Sequence, residues 1–104
     1  MSKFVSLLNR QSGVSRAEFQ HWWKDVHGPL AAKLPALRRY VLSFPIEDNA
    51  PFDGMAELYF SDLDSMRAAL DSPEGRASRT DTMGQISGRL AMLMAEHEIP
   101  IVGG

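Results

Sequence analysis

The segment order of this chain predicts an α+β fold: a ferredoxin-like βαββαβ unit, with a four-stranded antiparallel sheet and helices on one face. Two observations carry that expectation. Four short runs rich in Val, Leu, Tyr, Phe and Met are set apart by clusters of Gly, Pro, Asn, Asp and Ser. Between the first and second run, and between the third and fourth, apolar residues recur at helical spacing behind capping sequences.

Residues 3–9 are a compact apolar strand-like run, and Gln11-Ser12-Gly13 is a loop. Ser15 and Glu18 have capping-box spacing and open a helix that runs to about His27. Gly28 and Pro29 are expected to stop it, since Gly accepts positive φ and Pro cannot continue the ladder. On a helical wheel of about 100° per residue, Phe19, Trp22, Trp23, Val26 and Leu30 share one stripe. His27 falls at its edge, next to Trp23, while His21, Lys24 and Asp25 point to water. Residues 29–35 form a connector with room for another helical turn.

Residues 37–44 are a second strand, 45–53 a loop and 54–60 a third strand. Ser61 and Asp64 again have capping spacing, and Leu63, Met66, Ala69 and Leu70 form a helical stripe. Ser72-Pro73 reads as an N-cap followed by Pro at the first helical position, with a shorter helix to about Met83. Residues 90–99 are the last strand, and Val102-Gly103-Gly104 is a tail.

The strands carry a second message. A half-exposed strand alternates apolar and polar residues. Leu90-Ala91-Met92-Leu93-Met94-Ala95 does not, and the first two strands barely do. Two helices cover only one face of a sheet. A homodimer packed sheet to sheet is expected to cover the other.

Composition narrows the function. A chain of 104 residues is expected to form one domain. With 44% hydrophobic and 23% charged residues it reads as an ordinary globular protein. The net charge of -2 offers no basic footprint for nucleic acid. Without cysteine there are neither disulfides nor thiolate metal ligands. The apolar run Phe4-Val5-Ser6-Leu7-Leu8 is too short for a signal-peptide core or a membrane span, so no membrane partner and a cytoplasmic location are the expectations.

Five pieces, in order, resemble a known family. They are Phe19-x-x-x-Trp23-x-x-x-His27-Gly28-Pro29-Leu30, Leu37-Arg38-Arg39-Tyr40, Phe52-Asp53-Gly54-Met55-Ala56-Glu57-Leu58, Ser72-Pro73-Glu74-Gly75-Arg76 and Glu96-His97-Glu98. The series resembles the EthD-like proteins of the dimeric α/β-barrel superfamily. That resemblance implies a ferredoxin-like subunit whose sheets form a barrel in the dimer. Relatives in the superfamily include lactone isomerases, polyketide cyclases, decarboxylases and cofactor-free oxygenases. His27 matches the family's histidine position.

His27 is the first candidate for chemistry. An imidazole takes and gives protons near neutrality, which suits a general acid–base in a cleft. The other reading is a helix-end histidine that meets the last carbonyls and the dipole. Glu57 lies mid-strand with Met55 and Tyr59 on its own face. It either orients His27 or binds a substrate hydroxyl, or it forms an ion pair with Arg38 or Arg39 or faces water at a sheet edge. Tyr40 or Tyr59 is the candidate donor to a developing oxyanion, the other reading being a core tyrosine with a satisfied hydroxyl. Trp23, Tyr59, His97 and Asp53 are the candidates for holding substrate.

No histidine pair has local metal-ligand spacing, and there is no glycine-rich phosphate loop or nucleophile elbow. The expectation is a cofactor-independent, metal-free enzyme moving a proton on an aromatic, lactone or polyketide-like molecule. The alternatives are a cofactor-free oxygenase using the same pocket and a non-enzymatic ligand-binding or accessory dimer.

Overall fold

The computed structural model describes residues 1–103; the last residue of the expected tail, Gly104, lies outside them. Four strands, β1 (Ser2–Arg10), β2 (Arg39–Ser43), β3 (Gly54–Phe60) and β4 (Ile86–Ala95), form one sheet in the order β2-β3-β1-β4. All three pairings are antiparallel. The first crossover holds α1 (Arg16–His21), a π-helical segment (Trp22–His27) and α2 (Gly28–Ala31). The second holds α3 (Leu63–Leu70) and α4 (Pro73–Met83). This is the ferredoxin-like order.

Local chemistry explains most boundaries. The Ser15 hydroxyl accepts from the Glu18 N–H, and the Glu18 carboxylate accepts from the Ser15 N–H. Ser72 caps α4 by accepting from the Gly75 N–H, with Pro73 in its first turn. In α3 the cap is Asp62, which accepts from the Ser65 N–H, not Ser61. The Arg38 guanidinium occupies the Ser61 hydroxyl instead.

The last strand starts and ends four residues earlier than its apolar run suggests. Gln85 N–H bonds back to Thr82 as α4 ends, and pairing to β1 begins at Ile86. The register with β1 ends where Ala95 meets Ser2, with the Glu96 N–H still bonding to the Met1 carbonyl. His97 therefore lies beyond the strand.

Register and side-chain alternation divide the sheet. Phe4, Leu8, Ala56, Leu58 and Tyr40 lie beneath the helices. Lys3, Val5, Leu7, Met55, Glu57, Tyr59 and Met92 share the opposite face. Phe19, Trp23, Leu8, Phe60 and Met66 form the centre of the core. Gly54 lets the Trp23 ring rest on β3: a Cβ there would stand 2.5 Å from Trp23 Cζ3.

The first crossover departs from the wheel. Phe19, Trp22 and Trp23 are buried and His21, Lys24 and Asp25 exposed, as expected. Val26, expected in the apolar stripe, is 54% exposed. Gly28 and Pro29 do not stop the helix either; they begin α2. Both departures have one cause. The Gly28 N–H bonds to the Trp23 carbonyl, five residues back, so one residue is added to the turn. Gly28 is needed for closeness and not for positive φ: a Cβ would sit 3.0 Å from that carbonyl oxygen. Pro29 brings no N–H to continue the ordinary ladder, which suits a change of register at this point. The wider turn rotates Val26 out to solvent and carries His27 inward.

Candidate functional site

His27 is 5% exposed, under the Trp22 indole; the two ring centroids are 5.0 Å apart. Its ring is held from α4. His27 Nδ1 lies 2.8 Å from Asp81 Oδ2, and Nε2 lies 3.3 Å from the Thr82 hydroxyl and 3.5 Å from that of Ser78. A carboxylate on Nδ1 accepts the proton there and leaves the Nε2 lone pair for chemistry. The Thr82 hydroxyl suits both charge states of the ring. It can donate to a neutral Nε2. It can also accept from a protonated Nε2 while donating to the Ser78 carbonyl, 3.0 Å away.

His27, Ser78 and Thr82 line a cavity of about 100 Å³ between the first crossover, α4 and the sheet. Most of its remaining walls are apolar, with Phe4, Leu58, Trp23 and Leu34 among them, and Ser6, Arg79 and Arg89 also border it. Tyr40 reaches the same space from β2. Burial pushes the Tyr40 phenol up to about 12, against an opposing pull from the Trp23 indole. It is thus an O–H donor at any physiological pH.

The expected site residues separate into two groups. The cavity brings together His27, Tyr40 and Trp23. Glu57 and Tyr59 lie on the opposite face of the sheet, so Glu57 does not orient His27; Asp81 does. Glu57 accepts from Lys3 Nζ at 2.7 Å and from the Tyr59 hydroxyl at 3.2 Å. Its cross-strand cation is thus Lys3, neither Arg38 nor Arg39. The Lys3 hydrogen bond holds the Glu57 carboxyl below its usual range, against the cost of desolvation. Lys3 also reaches Glu96 at 3.1 Å, and both Lys3 and Arg39 sit over the Tyr59 ring.

Asp53 does not line the His27 cavity. It receives the Arg10 backbone N–H and pairs with the Arg10 guanidinium, clamping the loop before β3 to the end of β1. His97 is exposed beyond β4. Asp81, Ser78 and Thr82 are the residues that sequence reasoning missed. Their i, i+3, i+4 spacing marks one polar face on a short helix, but such a face ordinarily meets solvent. Among the described residues no cluster of three His, Asp or Glu could hold a metal ion. No helix of the described residues is long and apolar enough to cross a membrane.

Residues 11–85 match the EthD domain family, a span that includes His27, Tyr40 and Asp81. The chain belongs to the EthD family. This EthD protein is 28% identical over 85 residues to an uncharacterized 11.0 kDa protein of Rhodococcus erythropolis, from the thcB-thcC intergenic region. The match covers 79% of this chain and 82% of the relative. Among solved structures, an EthD family protein from Bacillus halodurans superposes with a TM-score of 0.80 at 26% identity, covering 93% of this chain and 99% of that one. A dimeric ferredoxin-like protein of unknown function from Thermobifida fusca gives 0.72 at 20% identity, covering 91% and 90%. SnoaB, a cofactor-independent oxygenase from Streptomyces nogalater, gives 0.69 at 19% identity, with 94% of both chains covered. The last two likenesses show the fold.

Proposed function

We propose that this EthD protein is a cofactor-independent enzyme that moves a proton on a small apolar substrate, with His27 as base and then acid. The observation that carries this reading is the buried His27–Asp81 pair at the wall of an apolar cavity. Asp81 on Nδ1 orients the ring and stabilises the imidazolium that forms when Nε2 takes a proton. Tyr40 donates to the oxygen on which negative charge develops. The imidazolium then returns the proton at a second atom of the substrate, which makes the net reaction an isomerisation. In a cyclase the carbanion would instead form a C–C bond to a carbonyl of the same molecule, and the imidazolium would protonate the resulting alkoxide. In a decarboxylase the imidazolium would protonate the carbon from which CO₂ has left.

Acid–base help of this kind contributes about 10²–10⁴ in rate, so holding the substrate in place has to supply much of the rest. A free space of about 100 Å³ favours a single ring, aromatic or lactone, over a fused polyketide. For scale, a 150 Å³ apolar cavity engineered in another protein takes up benzene.

The working unit in this proposal is a homodimer joined through the sheet faces. Leu90, Met92 and Met94 are exposed on the uncovered face of β4, and a structural relative is dimeric. The deciding experiment screens small aromatic and lactone acids for turnover, then compares His27→Gln with the wild type on the active compound. Loss of kcat with binding retained supports the enzyme. Unchanged turnover refutes it, and ligand binding without any turnover favours the ligand-binding dimer. Oxygen uptake stoichiometric with turnover identifies the oxygenase form, in which the same abstraction yields a carbanion that reacts with O₂.

A further inference from the structure

Two arginines line the His27 cavity, one on each side. Arg79 comes from α4, and Arg89 from β4. Both are exposed, and neither guanidinium has an acidic partner among the described residues. Arg10 and Arg16 pair with Asp53 and Asp48, and neither lines this cavity. Asp81, the acid close by on α4, is engaged by His27 Nδ1. Two cations without acidic partners thus flank an apolar cavity in a chain of net charge -2.

Their positions are set by the fold and not by a charged surface stripe. Arg79 follows Ser78 on the helix that holds His27. Arg89 pairs in register with Leu8, on the helix-covered side of the sheet. Both arginines are exposed residues bordering an apolar cavity, so an anion entering it meets a cation at the border. A guanidinium presents a planar fork that matches a carboxylate with two parallel N–H···O bonds.

From this we infer that the substrate is a carboxylic acid of about one ring, its carboxylate held between Arg79 and Arg89 and its apolar body in the cavity beside His27 and Tyr40. The inference rests on the proposal that this cavity is the substrate site, and it deepens that proposal by naming the class of molecule. It also assigns the orientation. The charged end faces the α4–β4 side, and the carbon that loses its proton lies inward, toward Nε2.

The probes are benzoate and its neutral isostere methyl benzoate, titrated calorimetrically at about pH 8. The His27 ring signals are followed by NMR in parallel. Benzoate should bind at least tenfold more tightly than the ester and should shift the His27 signals. Arg79→Gln and Arg89→Gln should each weaken benzoate about ten- to a hundredfold, the range for losing a charge-assisted contact. Neither should alter the ester. Arg→Lys at either site should recover part of the loss, since the charge returns without the fork. Raising NaCl from about 20 to about 500 mM should weaken benzoate alone.

Equal binding of the two probes overturns the inference and leaves the cavity proposal standing. So does benzoate binding that ignores both substitutions, or that moves no His27 signal and thus marks a surface anion site. If neither probe binds or raises the melting temperature at about 10 mM, the cavity proposal falls as well.

Discussion

The Trp22 indole covers the His27 imidazole, with ring centroids 5.0 Å apart and planes inclined at 33°. Five residues separate them, the span of one π-helical hydrogen bond. In an α-helix the residue stacked over His27 would be Trp23, four back. The extra residue in the turn frees Trp23 to pack against Gly54 and Phe44 while Trp22 roofs the histidine. One local irregularity thereby separates a core tryptophan from a site tryptophan.

The packing side of this relationship is testable by stability. Trp23→Ala removes a side chain that is 1% exposed, and should cost about 3–5 kcal/mol. Val26→Ala should cost well under 1 kcal/mol, because the π-turn has already placed Val26 in water. Urea denaturation of the two variants checks both values. A Val26 variant as damaged as the Trp23 variant would contradict the widened turn.

Gly54 supplies an independent check on the same contact. Gly54→Ala pushes a methyl group into the Trp23 ring, and overpacking of this kind should destabilise by about 1–3 kcal/mol. Combining it with Trp23→Leu should recover much of that loss, a coupling readable from a double-mutant cycle.

The His27–Asp81 pair makes a prediction about tautomers. In the wild type the neutral ring should carry its proton on Nδ1, and nitrogen-15 shifts report this directly. Asp81→Asn should mix the two tautomers. If the proposed enzyme reading holds, it should also lower kcat by a smaller factor than the roughly 10²–10⁴ expected for His27→Gln. Asp81→Asn with an unmixed Nδ1–H tautomer would remove Asp81 from its assigned role.

On the other face, the Lys3–Glu57 pair should appear in the acid limb of stability. The Glu57 carboxyl is lowered in the folded state, so its contribution is fully present above its unfolded value and is lost as pH falls through the folded one. Between about pH 5 and pH 2 the wild type should lose more stability than Glu57→Gln, by about 1 kcal/mol for this half-buried pair. Lys3 is shifted the other way, upward, mainly by the same bond to Glu57. Its contribution holds below the ordinary lysine range and fades only above it. Thermal melts across pH give both limbs.

The proposed dimer is read by sedimentation. The wild type should be dimeric at micromolar concentration, with an interface of roughly 2,000 Å² or more. Met92→Glu puts a charge on the uncovered sheet face and should shift the species toward monomer while leaving the His27 cavity, on the other face, intact. A wild type that sediments as a folded monomer would remove the sheet-to-sheet assembly.

Much was legible from short-range chemistry. Hydrogen-bond capping at Ser15 and Ser72, the β-rich runs and the stripe of Phe19, Trp22 and Trp23 act over a few residues. Their order alone specifies the ferredoxin-like topology, and His27 stands out as the titratable group beside an aromatic stripe. The tertiary structure decided what depends on long-range partners. Periodicity could not show that a π-turn expels Val26 and turns His27 inward, because a single added residue breaks the assumed 3.6-residue period. Glu57 and His27 are both ionisable residues near apolar neighbours in sequence. Only strand register places Glu57 with Lys3 on one face of the sheet and leaves His27 to Asp81 on the other. Asp81 itself sits 54 residues from His27 on a polar helix face. Its role arises solely because the second crossover packs that face against the first, where a buried imidazole needs a hydrogen-bond acceptor.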